Sequence, residues 1–103
     1  TGMPGISRHK DLAATGHLCS LVAPCIATAR SVFVNGTRVA RRDDPLKPHF
    51  IRNPEKPPLC IPHLAKINRG SPTVFAEGKP VARRGDSADK GAMIVASRDV
   101  LAG

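Results

Sequence analysis

No tryptophan and no tyrosine occur in this 103-residue sequence, and phenylalanine occurs three times. A chain this short buries roughly two-thirds of its unfolded surface at best, so the shortage of large side chains leaves a thin core. The shortage also weighs against single-stranded nucleic acid as a partner, because such binders stack bases on exposed aromatics. Acidic residues are scarce as well: eight stand against sixteen Lys and Arg, for a formal net charge of +8. That balance raises duplex nucleic acid as a partner, yet the sequence contains neither a recognition helix nor a zinc finger with a helical half. We expect no nucleic-acid partner, and a basic zinc module binding nucleic acid stands as the alternative from a different functional class. No apolar run approaches the roughly 18 residues that span a bilayer. "LCSLVAPCIATA" (18–29) imitates a secretory signal, but Asp11 and His17 interrupt its approach and Pro24 its middle, so no targeting segment is read. G-x-S-x-G, H-E-x-x-H and a phosphate-binding loop are all missing. The expectation is a protein that is not an enzyme, with no catalytic residues and no small-molecule substrate.

Ten Pro and nine Gly imply many turns and few long helices. A small, turn-rich chain with a thin core needs a staple, either disulfides or a metal. Three Cys cannot all pair within one chain, which weakens a disulfide framework, and four His beside them favour a metal.

The sequence repeats itself. Residues 31–44, "SVFVNGTRVARRDD", and residues 73–86, "TVFAEGKPVARRGD", share eight of fourteen positions at an offset of 42. Each copy sets two short β-type runs around a turn pair, Asn35-Gly36 or Glu77-Gly78, and Asn-Gly is the strongest short hairpin signal. Pro80 fits the start of a strand or an edge, where its missing N–H costs little. A third copy is split between the ends: "SRHKD" (7–11) matches the closing phrase, and Val100-Leu101 match Val74-Phe75 of the opening phrase. The predicted fold is therefore all-β and pseudo-threefold, built of short hairpins and closed by pairing of the N- and C-terminal strands. One domain over residues 1–103 is expected, with Thr1-Gly2 ahead of Met3 read as residues left by cloning. In each copy an Arg-x-x-Asp phrase is expected to turn the chain and anchor the following loop.

Three loops, 12–30, 45–70 and 87–96, connect the copies. The first holds His17, Cys19 and Cys25, the second His49, Cys60 and His63, and the third neither His nor Cys. His17 follows Asp11 by six residues and His49 follows Asp44 by five, so the two emerge at comparable places. Cys60-Ile61-Pro62-His63 is a C-x₂-H pair of the kind that converges on one ion. The expected metal ligands are His17, His49, Cys60 and His63, a closed tetrahedral set of structural type. Cys19 is the rival for the thiolate position. Otherwise Cys19 and Cys25 read as small buried hydrophobes. His9 reads as solvent-facing, because it takes the place of Arg42 and Arg84.

"SPTVFAEGKPVARRGD" (71–86) resembles the signature of the PAAR-repeat proteins, here Pro80-Val81-Ala82-Arg83. The earlier copy, Arg38-Val39-Ala40-Arg41, departs at its first two positions, and Asp43 stands where Gly85 does. "MPGISRHKD", "TGH", "DPLKPH", "CIPH" and "GDSADKGAM" are similar to the version carried by contractile-tailed phages. The resemblance implies a small cone with a metal-pinned apex, capping the trimeric β-helical spike of a phage tail baseplate and sharpening it to puncture the host outer membrane. It implies one structural zinc, with iron as the other metal considered, on His17, His49, Cys60 and His63. The implied location is the virion, and the nearest alternative is a type VI secretion spike tip.

Overall fold

The computed structural model describes residues 3–53, 55 and 59–103, and Thr1-Gly2 lie outside these. Among the described residues ten short strands follow one another: β1 (Leu12–His17), β2 (Ser20–Pro24), β3 (Phe33–Val34), β4 (Thr37–Arg38), β5 (His49–Arg52), β6 (Cys60–His63), β7 (Phe75–Ala76), β8 (Lys79–Pro80), β9 (Ser87–Ala88) and β10 (Gly91–Met93). All pairings are antiparallel. One sheet runs β2-β1-β10-β9, and β3-β4, β5-β6 and β7-β8 are separate pairs.

The repeated phrases form the two predicted hairpins. In each, both central turn residues take positive φ: Asn35 54° and Gly36 76°, Glu77 50° and Gly78 82°. Two-residue hairpin loops require this twist. Glu77 is held there by its carboxylate, which accepts from the backbone N–H of Arg30 and Ser31 at 2.8 Å each and from the Ser31 hydroxyl at 2.7 Å.

The third hairpin is assembled from the two ends of the chain. Gly5 pairs with Leu101 as Arg38 pairs with Phe33 and Pro80 with Phe75. Three equivalent backbone bonds fasten the strands: the N–H groups of Ile6, Val39 and Val81 donate to the carbonyls of Val100, Val32 and Val74 at 2.9, 3.0 and 3.0 Å. At the centre a closed ring forms. Ser7 N–H donates to Ala82 at 2.9 Å, Ala82 N–H to Ala40 at 2.8 Å, and Ala40 N–H to Ser7 at 2.9 Å. Ser7, Ala40 and Ala82 are fully buried. Three backbones can approach one another this closely only because the side chains between them are small.

Two core clusters adjoin that ring, and the ring's Ala40 and Ala82 belong to the second. One, under the hairpins, joins Ile6, Val39 and Val81 to Val34, Ala76 and Ala102. The other, under the connecting loops, joins Cys25, Ile67 and Met93 to Ala13, Leu46 and Ala88. Cys25, Ile67 and Met93 are equivalents: their N–H groups donate to the carbonyls of Asp11, Asp44 and Asp86, each at 2.9 Å. Cys25 is thus the buried small hydrophobe the sequence suggests. Burial pushes its thiol pKa up to about 12, helped by the Asp11 and Asp44 carboxylates.

Each Arg-x-x-Asp closes a turn in which the Asp carboxylate accepts from the Arg backbone N–H at 2.8 Å. The residue before the Asp takes positive φ in every copy, 74° at Lys10, 75° at Asp43 and 92° at Gly85. Arg8 and Arg83 also pair with their Asp through the side chain. Arg41 does not: its buried guanidinium donates to the carbonyls of Ala76 and Glu77 and to Thr28 Oγ1. Thr28 in turn donates to Asp44. His9 also departs from expectation. It is half-buried, its Nδ1 accepts from Ala27 N–H at 3.1 Å, and burial, then Arg38 and Lys10, hold its pKa below the usual imidazole value.

Candidate metal centre

The three connecting loops leave the threefold ring on the same side and bring four side chains together. His17 ends β1 just after a bulge that shifts register between Ala14 and His17. Such a bulge re-aims a side chain. Its N–H donates to Thr15 Oγ1, whose hydroxyl donates to the Ser20 carbonyl. His49 and His63 lie opposite each other in the β5-β6 pair, on one face. The third contribution is Asp89, in the turn between β9 and β10 at φ 53°. Pairing of Ala14 with Ala92 and a bond from Lys90 N–H to the Thr15 carbonyl set that turn beside β1. Gly91 permits the approach, since a Cβ there would lie 1.9 Å from the Ala14 carbonyl oxygen.

The Asp89 carboxylate is 3.1 Å from His17 Nε2, 2.7 Å from His49 Nε2 and 3.3 Å from His63 Nε2. The four donor atoms lie within 4.8 Å of one another. The imidazole centroids are 5.0 to 5.8 Å apart. His49 and Asp89 are almost completely buried, and His63 is the most open of the four. Burial alone raises the Asp89 pKa, but the bonds from His17, His49 and His63 outweigh it and hold the carboxyl below its usual value.

This donor set fits a metal ion. His49 Nδ1 lies 3.0 Å from the Lys47 carbonyl, which can only accept, so Nδ1 carries a proton. In a neutral His49, Nε2 then presents a lone pair to a carboxylate oxygen 2.7 Å away. That contact repels unless a proton or a cation lies between them. A single divalent cation satisfies all four donors, with the Lys47 carbonyl orienting His49 from behind.

Three of the four ligands expected from the sequence therefore meet: His17, His49 and His63. Cys60 is not among them in this structure, and Asp89 takes the fourth place. The sulfur of Cys60 is bonded to Cys19, with Cα atoms 6.1 Å apart, so it offers no thiolate. The C-x₂-H pair lies on strand β6, where residues three apart point to opposite faces. His63 faces Asp89 and Cys60 turns away. The disulfide also corrects the reading of Cys19 as a buried hydrophobe or rival ligand. Three cysteines leave room for one bridge and one buried thiol.

Asp89 stands in the third loop, which holds neither His nor Cys and so carries no ligand motif of the usual kind. The threefold spacing carried the signal: His17, His49 and Asp89 follow Asp11, Asp44 and Asp86 by six, five and three residues. Nothing in the arrangement points to catalysis. The donors face one another, and the neighbouring hydroxyls are bonded to backbone, Thr15 as described and Ser20 Oγ accepting from Phe50 N–H.

The comparisons agree with this architecture. The family model described as PAAR motif matches residues 15–96, a span that includes both complete hairpins and all four clustered side chains. No curated protein matches the chain. Most of the chain lies within the family model, and the chain belongs to the PAAR-motif family.

Proposed function

We propose that this protein is the metal-pinned tip that caps the trimeric β-helical central spike of a phage tail baseplate in the virion, one chain per trimer. One observation carries the reading: a single chain shows the same surface three times. Phe33 and Phe75 are equivalent, Leu101 takes the same place in the hairpin made from the chain ends, and they are 56%, 57% and 44% exposed. Large apolar side chains left in water at three symmetric positions suit a partner with a threefold axis. At the other side, the proposed site of His17, His49, His63 and Asp89 holds one structural ion, zinc by the preference of imidazole and carboxylate donors, with iron as the alternative. A closed set of four donors leaves no position for a substrate. It stiffens the loops so that a contracting sheath delivers its force to the host outer membrane through a rigid point.

Mixing the protein with a trimeric spike fragment tests the reading. One chain should bind per trimer, and Phe33→Asp with Phe75→Asp should abolish binding without unfolding the protein. Absence of binding to any phage spike, with tight salt-dependent binding to duplex DNA, would favour a basic nucleic-acid module instead. Binding only to a type VI secretion spike would move the same tip to that machine.

A further inference from the structure

Each clustered histidine is followed by a large apolar residue that the fold leaves in water. Leu18, Phe50 and Leu64 follow His17, His49 and His63 and are 75%, 50% and 77% exposed. Strand alternation accounts for Phe50: when His49 points in, Phe50 points out. Leu21 and Leu59 are exposed as well. The Cys19–Cys60 bridge joins the segments that carry Leu18 and Leu59, and the bond from Phe50 N–H to Ser20 Oγ ties β5 to the segment that carries Leu21.

The charge around this surface is one-sided. On the segments flanking it, among the described residues, the exposed charged side chains are Lys47, Arg52, Lys66 and Lys90 against Glu55, with Lys66 paired to Asp43. Asp89, the other carboxylate there, is turned into the cluster. Arg52 and Lys90 line a shallow groove of about 340 Å³ together with Gly16, His17, Leu18 and Ile51. Two cations beside apolar side chains match a lipid phosphate with its acyl stem.

We propose that this end of the molecule is a lipid-engaging surface for an anionic bilayer. Leu18, Phe50, Leu59 and Leu64 enter the acyl boundary while Arg52 and Lys90 hold lipid phosphates. The proposal rests on reading the metal end as the leading end of the tip. It adds that this end has its own affinity for lipid, without applied force.

Co-flotation of the purified protein with vesicles is the test. Wild type should float with vesicles containing about 30% phosphatidylglycerol and much less with pure phosphatidylcholine, and raising salt from about 0.1 M to about 0.5 M should weaken binding. Leu18→Ser with Leu64→Ser, and separately Phe50→Ser, should lower binding at least about tenfold. Arg52→Gln with Lys90→Gln should remove the preference for anionic lipid, and Phe33→Ser with Phe75→Ser should change nothing. A wild type that ignores both vesicles, or that retains binding in all three metal-end variants, overturns the inference. If that protein still docks on a spike trimer, the proposed function survives the loss. Vesicle binding abolished by Phe33→Ser with Phe75→Ser alone would reverse the leading end and overturn both.

Discussion

Replacing either half of the Cys19–Cys60 bridge should weaken the protein equally. The bridged residues are 41 apart in sequence, and closing a loop of that length corresponds to about 4 kcal/mol at 25 °C in the chain-entropy picture. For a chain of this size each kcal/mol moves the melting point by about 4 °C or more, so a loss of roughly 15 °C is expected. The bridge joins the turn after His17 to the strand that carries His63, so its loss also loosens the frame around the cluster. The assay is guanidinium and thermal unfolding of zinc-loaded wild type, Cys19→Ser and Cys60→Ser, oxidised and reduced. Under oxidising conditions both variants should match reduced wild type, and adding reductant should not weaken them further. Thiol counts on the denatured proteins should give one for wild type, from Cys25, and two for each variant. Equal losses are the signature of a bridge. A Cys19→Ser protein as stable as oxidised wild type, beside a crippled Cys60→Ser protein, would refute the reasoning and restore Cys60 as a thiolate ligand.

Two further outcomes follow from the packing. Gly91→Ala would place a Cβ 1.9 Å from the Ala14 carbonyl oxygen, forcing β10 from β1. A stability loss of roughly 1–3 kcal/mol, read by denaturant melts, should accompany weaker metal binding as the Asp89 turn moves away. Cys25, buried and with its thiol pKa raised from 9.0 to about 12, should resist alkylation at pH 8.5 until the protein unfolds. Because the folded form holds this proton more tightly, the stability linked to it is complete below pH 9.0 and declines as pH rises towards 12. Cys25→Ala should lack that alkaline component in melts followed across the same range.

The fold was legible because the sequence states it nearly three times. Val-Phe, the turn pair and Val-Ala-Arg-Arg recur at a fixed offset, and the physical demand behind each is local: positive φ at the turn, small residues at the axis, an Asp closing onto backbone. The split hairpin was legible for the same reason. The side-chain contacts were less so. Arg41 shares its motif with Arg8 and Arg83, yet it leaves its Asp for the carbonyls of Ala76 and Glu77, which only the assembled fold brings near. His17 and His49 could be read from loop equivalence, and His63 from its spacing to Cys60. Cys60 could not, because its partnership depends on which face of β6 it occupies, and a C-x₂-H spacing fits one ion in a turn but not on a strand. Asp89 was hidden by residue type, since a single Asp in a turn is usually there for the backbone.

Metal content decides the central claim, that three imidazoles and one carboxylate hold an ion. Wild type, Asp89→Ala, His49→Ala and Cys60→Ser, each loaded with zinc and desalted, would be measured by elemental analysis for metal per chain. One equivalent is expected in wild type and in Cys60→Ser. Asp89→Ala and His49→Ala should lose it, with affinity lowered by at least about 100-fold, since even partners outside the ligand set are worth 10–100-fold. One equivalent retained in Asp89→Ala and lost in Cys60→Ser would contradict the account.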